Sequence, residues 1–217
     1  NMSAITIEIN AAQLADVRER LAHIKNGTER AMARALNRTA SKAKTAASRA
    51  VRDQVNLSAA YVRQNLKGPA DGWAFKATIG RLSARLSTPK RGILLRNFVT
   101  NAVPPGPGRP PVPIRVKVKA AGATEVLSSG FYIRTKTSNA ITPAVSNDVL
   151  RSLGMKQKLD SGPYTVLHGP SLSQVFTDVK DDISDGMSAL LAANLQHEME
   201  WLLNKYPPPG DDGASEG

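Results

Sequence analysis

Cysteine is absent from the chain, which removes disulfides, thiolate nucleophiles and Cys-containing zinc sites in one step. Long apolar runs are missing too. No stretch reaches the roughly 18 uninterrupted apolar residues that a membrane-spanning helix needs, and the N-terminus lacks the basic-then-apolar layout of a secretory leader. The expectation is a soluble protein made in the cytoplasm, with no membrane partner. Asn1 precedes Met2, and that first residue is given no weight. Acidic side chains are scarce over one long interval. Residues 29–119 hold 19 Lys and Arg against three acids (Glu29, Asp53 and Asp71), a net of +16, whereas residues 120–217 are net −5 and residues 1–28 are balanced. Charge of one sign gathered in a block points to a polyanion or an acidic protein surface as its neighbour.

Histidine is equally sparse, and His23, His168 and His197 include no pair at metal-ligand spacing. His197, Glu198 and Glu200 resemble a fragment of a zinc helix without the second histidine four residues on. GPGRPP (106–111) places prolines where a phosphate loop needs free N–H groups, and it lacks the Gly-Lys-Ser/Thr ending. Ser129-Gly130 and Ser171 have no histidine and acid arranged around them. No catalytic residue, metal or cofactor is expected, and the chain does not read as an enzyme.

What is present is patterning. ITIEI (5–9) alternates as a half-buried strand. Asn10 with Gln13 forms a capping box for a short amphipathic helix through Leu14, Val17, Leu21 and Ile24, ended near Asn26-Gly27 with glycine as the left-handed cap. Thr28 then caps ERAMARALNRTASKAKTAASRAVRDQ (29–54), which has no Pro or Gly. Its apolar seam is Met32, Leu36, Ala40, Ala43, Ala47, Ala50 and Val51. Small side chains allow close packing, expected here against a sheet, and alanine has the highest helix propensity. Arg30, Arg34, Arg38 and Lys42 recur every four residues on another face, continued by Arg49 and Arg52; their mutual repulsion calls for an acidic partner. VNLSAAYVRQNL (55–66) is a further helix capped by Asn56 or Ser58.

From residue 73 the period becomes two. WAFKATIGRL, GILLRNFV, PIRVKVKA and VLSSGFYIR read as strands; in the third, Ile114, Val116 and Val118 face inward and Arg115, Lys117 and Lys119 outward. Six prolines in residues 101–113 make an extended loop or arm. SNDVLRSLGM (146–155) reads as a short helix and YTVL (164–167) as a strand. GPSLSQVF, with Pro170 in the first turn, opens a long amphipathic helix to Tyr206 that Gly186 can bend. That helix carries Asp178, Asp181, Asp182 and Asp185, a solvated or docking acidic face. PPPGDDGASEG (207–217) has the composition of a disordered acidic tail. The expected fold is α+β: one antiparallel sheet of about five to six strands, packed by a long N-terminal Ala/Arg-rich helix and a long C-terminal amphipathic helix. A single domain spans 1–206, with a Pro-rich loop at 101–113 and an inserted arm at 135–162.

AMARALNRTASKAKTAASRAV, VNLSAAYVRQNLK, SSGFYIR, and YTVLHGPSLSQVF leading to LQHEMEWLL together resemble the minor tail protein Z family of long-tailed phages and prophages over most of residues 28–205. ALNRTA and the turn of Gly169, Pro170, Ser171 and Phe176 are the most specific pieces. The resemblance implies a structural tail completion or neck protein of the virion, assembled in the host cytoplasm and acting at the head-proximal end of the tail. It also implies a homo-oligomeric ring, expected as a hexamer, that meets tail terminator, tail tube or head connector proteins and surrounds genomic double-stranded DNA. Basic residues 30–52 of one copy would meet an acidic surface such as 178–185 of the next, or the DNA. The alternatives are a tail terminator or another connector ring, and a non-enzymatic, sequence-independent DNA-binding protein.

Overall fold

The computed structural model describes residues 4–7, 11–110, 112–136, 139–152 and 162–208 of the 217, without the side chains of 11–14 and 185. The chain runs β1 (Ala4–Ile7), α1 (Ala11–Arg20), α2 (Gly27–Gln54) and α3 (Ala59–Asn65). Then come β2 (Ala84–Ser87), β3 (Gly92–Leu94), β4 (Ile114–Val116), β5 (Glu125–Leu127), β6 (Phe131–Arg134), β7 (Ile141–Ser146) and α4 (Asn147–Ser152). It ends with β8 (Tyr164–Val166), β9 (His168–Ser171), α5 (Leu172–Asp185) and α6 (Met187–Lys205). The fold is α+β and its ladders are antiparallel. The strands do not form one sheet: they are divided into β1–β2, β3–β9, β4–β5 and β6–β7–β8. Strands of three to six residues are too short to bury a continuous sheet face, and the ladders lean on different helices: β2 on α2, β9 on α5, and β7 and β8 on α4.

The centre is α2. Met32, Leu36, Ala40, Ala43, Ala47 and Val51 are buried as the spacing predicts, together with Ala31, Ala35, Thr39 and Ser48, while Ala50 is half-buried. Its neighbours differ from expectation. The alanine seam packs mainly against α6 and α5, with α3 and β2 adding to it. Small side chains on one helix admit a second helix at close range, and the apolar residues of α5 and α6 supply the bulk: Leu172, Val175, Phe176, Val179, Ile183, Leu191, Leu195, Met199 and Leu202 are all buried. Within this seam Asn194 Nδ2 donates to Thr39 Oγ1 at 2.8 Å, and both residues are buried. A satisfied polar pair between apolar neighbours penalises a slip of one helix along the other. The long C-terminal helix is divided at Gly186, the shared cap of α5 and α6.

Several local expectations change. Asn26, not Gly27, takes the left-handed conformation, at φ 55°; asparagine tolerates that region, and Gly27 is needed for another reason, since a Cβ there would lie 2.8 Å from Ile24 Cβ. Thr28 lies buried inside α2 and is not its cap. Ser58 caps α3 by accepting from the Tyr61 N–H at 3.2 Å. Asn56 instead donates to Lys117 O, and its N–H to Val118 O.

WAFKATIGRL forms turns, not a strand. Asn37 on α2 accepts from the Ala77 N–H at 2.8 Å and donates to Ala77 O at 2.9 Å, replacing a ladder by a side-chain clamp. Trp73 and Ile79 then stand 76% and 48% exposed. GILLRNFV turns into a 3-10 segment after Leu94, and VLSSGFYIR breaks into β5 and β6, which pair with different partners. The Pro-rich loop touches two of the ladders: Asn101 Oδ1 accepts from the Arg115 N–H of β4 at 2.9 Å, and Gly108 and Tyr132 of β6 exchange N–H···O bonds at 2.8 Å. Gly108 has φ 136°, which glycine alone adopts readily. Residues 141–146, inside the stretch expected as an arm, form the middle strand β7. Asn10 and the tail from residue 209 lie outside the described residues.

Candidate functional site

The basic stripe of α2 divides into two halves with different surroundings. In the first half the cations turn onto the chain's own α6. Arg34 Nε lies 2.7 Å from Glu198 Oε2 and Arg38 Nη1 lies 3.3 Å from Oε1; the Arg34 contact is ionic, without the alignment of a hydrogen bond. The Arg34 guanidinium also sits 4.0 Å from the centre of the Trp201 ring, and Arg30 lies 5.7 Å from that of Tyr206. Lys205 covers the same two rings. Cation–π packing and a nearly buried carboxylate thus hold one end of the stripe within the subunit. Glu198 was legible only as part of a zinc-helix fragment. Its spacing from His197 concealed its role as the counter-ion of two arginines more than 150 residues away.

The second half is free. Lys42, Arg49 and Arg52 on α2 are joined by Arg63 on α3 around an open groove of about 730 Å³, lined also by Thr45, Ala46, Ser48 and Ala59. All four cations are exposed, and none forms an ion pair among the described residues. Arg52 Nε donates to Ser48 O and Arg63 Nε to Ala59 O, which holds both guanidinium stems along their helices. Lys44, also on the wall, is paired: its Nζ lies 2.7 Å from Asp71 Oδ2. Burial pushes the Asp71 carboxyl up, but hydrogen bonds from Lys44 and the Gly68 N–H, with the charges of Lys44 and Lys67, outweigh it and set the value below the usual range. The groove exists because Val62 and Leu66, both buried, pin α3 after an extended turn at residues 55–57. Arg63 was invisible as a site residue, since only that turn brings α3 back beside α2.

Of the basic strand face, Arg115 and Lys119 are exposed and Lys117 is half-buried. The Ala120 N–H donates to Gln54 O at 3.0 Å, and Lys119 bridges Val55, so the tip of this strand lies at the same end of α2 as the groove. Asp178, Asp181 and Asp182 form an exposed stripe on α5 with no ion pair among the described residues; the Asp185 side chain lies outside them. Gly169 and Pro170 belong to β9, so Pro170 precedes the helix and does not sit in its first turn. Ser171 is the cap: its Oγ accepts from the Gln174 N–H at 3.1 Å, and Gln174 Oε1 accepts from the Ser171 N–H at 2.9 Å. That reciprocal box places the cap one residue after the proline and the helix start two residues after it. Phe176 is wholly buried.

His23 Nε2 lies 2.9 Å from Tyr206 O, and His168 Nδ1 lies 3.1 Å from Val166 O. Among the described residues no group of three His, Asp or Glu side chains could hold a metal ion, and no helix is long and apolar enough to cross a membrane.

An α+β domain built on an alanine-seamed helix, with its charge laid out on separate surfaces, has the makings of an assembly component. Residues 14–206 match the model of the prophage minor tail protein Z family. The chain belongs to that family and is a structural protein of a phage tail. No curated protein and no solved structure matches it.

Proposed function

We propose that this protein is a tail completion protein: a ring of identical copies, expected as a hexamer, at the head-proximal end of the tail, where it lets the finished tail join the DNA-filled head. The observation that carries the reading is the division of surface charge. Exposed cations outside the α2–α3 groove, Arg115 among them, and a separate stripe of aspartates with no ion pair among the described residues give one subunit two faces of opposite charge, as heterologous contacts that close a ring require. The protein works by contact with terminator, tube or connector proteins, and carries out no catalysis. Asp178, Asp181 and Asp182 dock on a basic surface of the next copy.

Electron microscopy of particles from a phage with an early stop codon in this gene tests the function. Full heads beside separate tails of normal length are expected. Overlong tails would assign a terminator role, and intact virions would overturn the reading. Asp181→Arg with Asp182→Arg is expected to block ring assembly; unaffected assembly would remove the acidic stripe from the interface.

A further inference from the structure

The groove between α2 and α3 has a chemistry of its own. It is lined by Lys42, Lys44, Arg49, Arg52 and Arg63 with small residues between them, and among the described residues no carboxylate lines it. At about 1.5 Å per residue, Lys42 to Arg52 covers about 15 Å of helix. Duplex DNA presents about one negative charge per 1.7 Å of its axis, so several phosphates fall within reach of that length. The acidic residues of α5, from Asp178 to Asp185, span about 10 Å by the same rise, shorter than the row of cations along the groove.

We propose that this groove seats the phosphate backbone of double-stranded DNA, independently of sequence. Protein interfaces are centred on aromatic and arginine anchors seated in well-packed pockets and are depleted in lysine; this open groove has arginines, but among the described residues it has no aromatic ring, and the rest of its lining offers Thr45, Ala46, Ser48 and Ala59. Single-strand binders stack bases on aromatic rings, and none lines this groove. The Nε atoms of Arg52 and Arg63 are taken by backbone carbonyls, leaving the outer guanidinium nitrogens to face phosphate oxygens. Lys119, tethered at the same end of α2, extends the positive field beyond the groove. Exposed cations give a contact that salt weakens strongly and that lets DNA slide, compatible with a conduit through which DNA must move. The biological setting rests on the tail completion reading; the binding itself does not.

The test is fluorescence anisotropy of the full chain with a labelled duplex of arbitrary sequence, titrated over a range of salt concentrations. Four phosphate contacts predict a slope of log K against log salt of about −3.6, at about −0.9 per phosphate. The pair Arg49→Ala and Arg63→Ala should reduce the slope to about −1.8 by the same rule. Both positions are exposed and helical, so alanine preserves the fold; a circular dichroism melt checks this. The pair Arg18→Ala and Lys25→Ala removes equal charge outside the groove and should leave the slope unchanged. The proposal is overturned if the duplex does not bind, if the two pairs lose binding equally, or if a single strand binds more tightly than the duplex. It is also overturned if the groove pair abolishes self-association and leaves DNA binding intact, which would assign the groove to a protein neighbour. Failure here with separate heads and tails in the stop-codon phage would leave the tail completion reading standing; DNA binding with intact virions would do the reverse.

Discussion

Arg34 and Arg38, one helical turn apart on α2, share the carboxylate of Glu198 on α6, at 2.7 and 3.3 Å. The Glu198 side chain is 6% exposed and the two arginines are nearly half exposed, so the acid depends on the pair more than the cations do. Removing one partner of a buried pair costs about 3–5 kcal/mol, but arginines that regain water lower the figure. Glu198→Ala should therefore destabilise the domain by about 1–2 kcal/mol, read as a shift of the urea midpoint at unchanged slope. A double-mutant cycle should give Arg34 a larger coupling to Glu198 than Arg38 has. Zero coupling for both would make this an ordinary surface pair.

Asp71 makes stability depend on acid. Its carboxyl titrates below its ordinary value, so its contribution is fully present above the unfolded carboxylate pKa of about 3.9 and is lost as pH falls through the lower folded value. Thermal melts should show Asp71→Asn less stable than the parent at neutral pH, with the gap closing below about pH 4. A gap of constant size down to the lowest pH would show that the Lys44–Asp71 pair contributes through packing and not through charge.

Gly169 is held by contact and not by backbone conformation. A Cβ there would come within 2.5 Å of Phe98 Cε2, and Phe98 is fully buried. Gly169→Ala should cost about 1–3 kcal/mol as overpacking, and Phe98→Leu in the same chain should recover part of the loss. An alanine variant as stable as the parent would mean that the Phe98 ring moves aside freely.

The seam of α2 should resist enlargement. Ala40 is completely buried where α2 meets its neighbouring helices, and Ala40→Leu should cost about 1–3 kcal/mol although leucine is itself a good helix former. Ala46→Leu, on the exposed face, is the control and should change the melting temperature little.

Much of this was legible in the chain because it is written in local patterns. The burial of Met32, Leu36, Ala40, Ala43, Ala47 and Val51 follows from helical period alone, as does the apolar face from Leu172 to Leu202. Helix caps were legible less evenly. Ser58 was one of two candidate caps, but the cap at Ser171 was missed and Asn26 and Pro170 did not take the expected places, because an asparagine can do a glycine's work and a capping box can outrank a proline. Strands were read least well. The alternation in WAFKATIGRL looks like a strand, yet Asn37 captures Ala77 and leaves Trp73 and Ile79 outside. A two-residue period cannot show which partner, if any, offers a ladder.

By itself, then, the sequence determined the helices and their buried faces, the basic block, the lack of cysteine chemistry and the membership of its family, because period, composition and motif order are properties of neighbouring residues. Tertiary structure alone decided how the cations are used. Contacts across more than 150 residues tie Arg34 and Arg38 to Glu198, and an extended turn at residues 55–57 swings Arg63 beside Arg49 and Arg52. One continuous basic stripe is thereby divided into a half neutralised inside the subunit and a half left open. Charge interacts through space, and only the folded chain sets which charges are near.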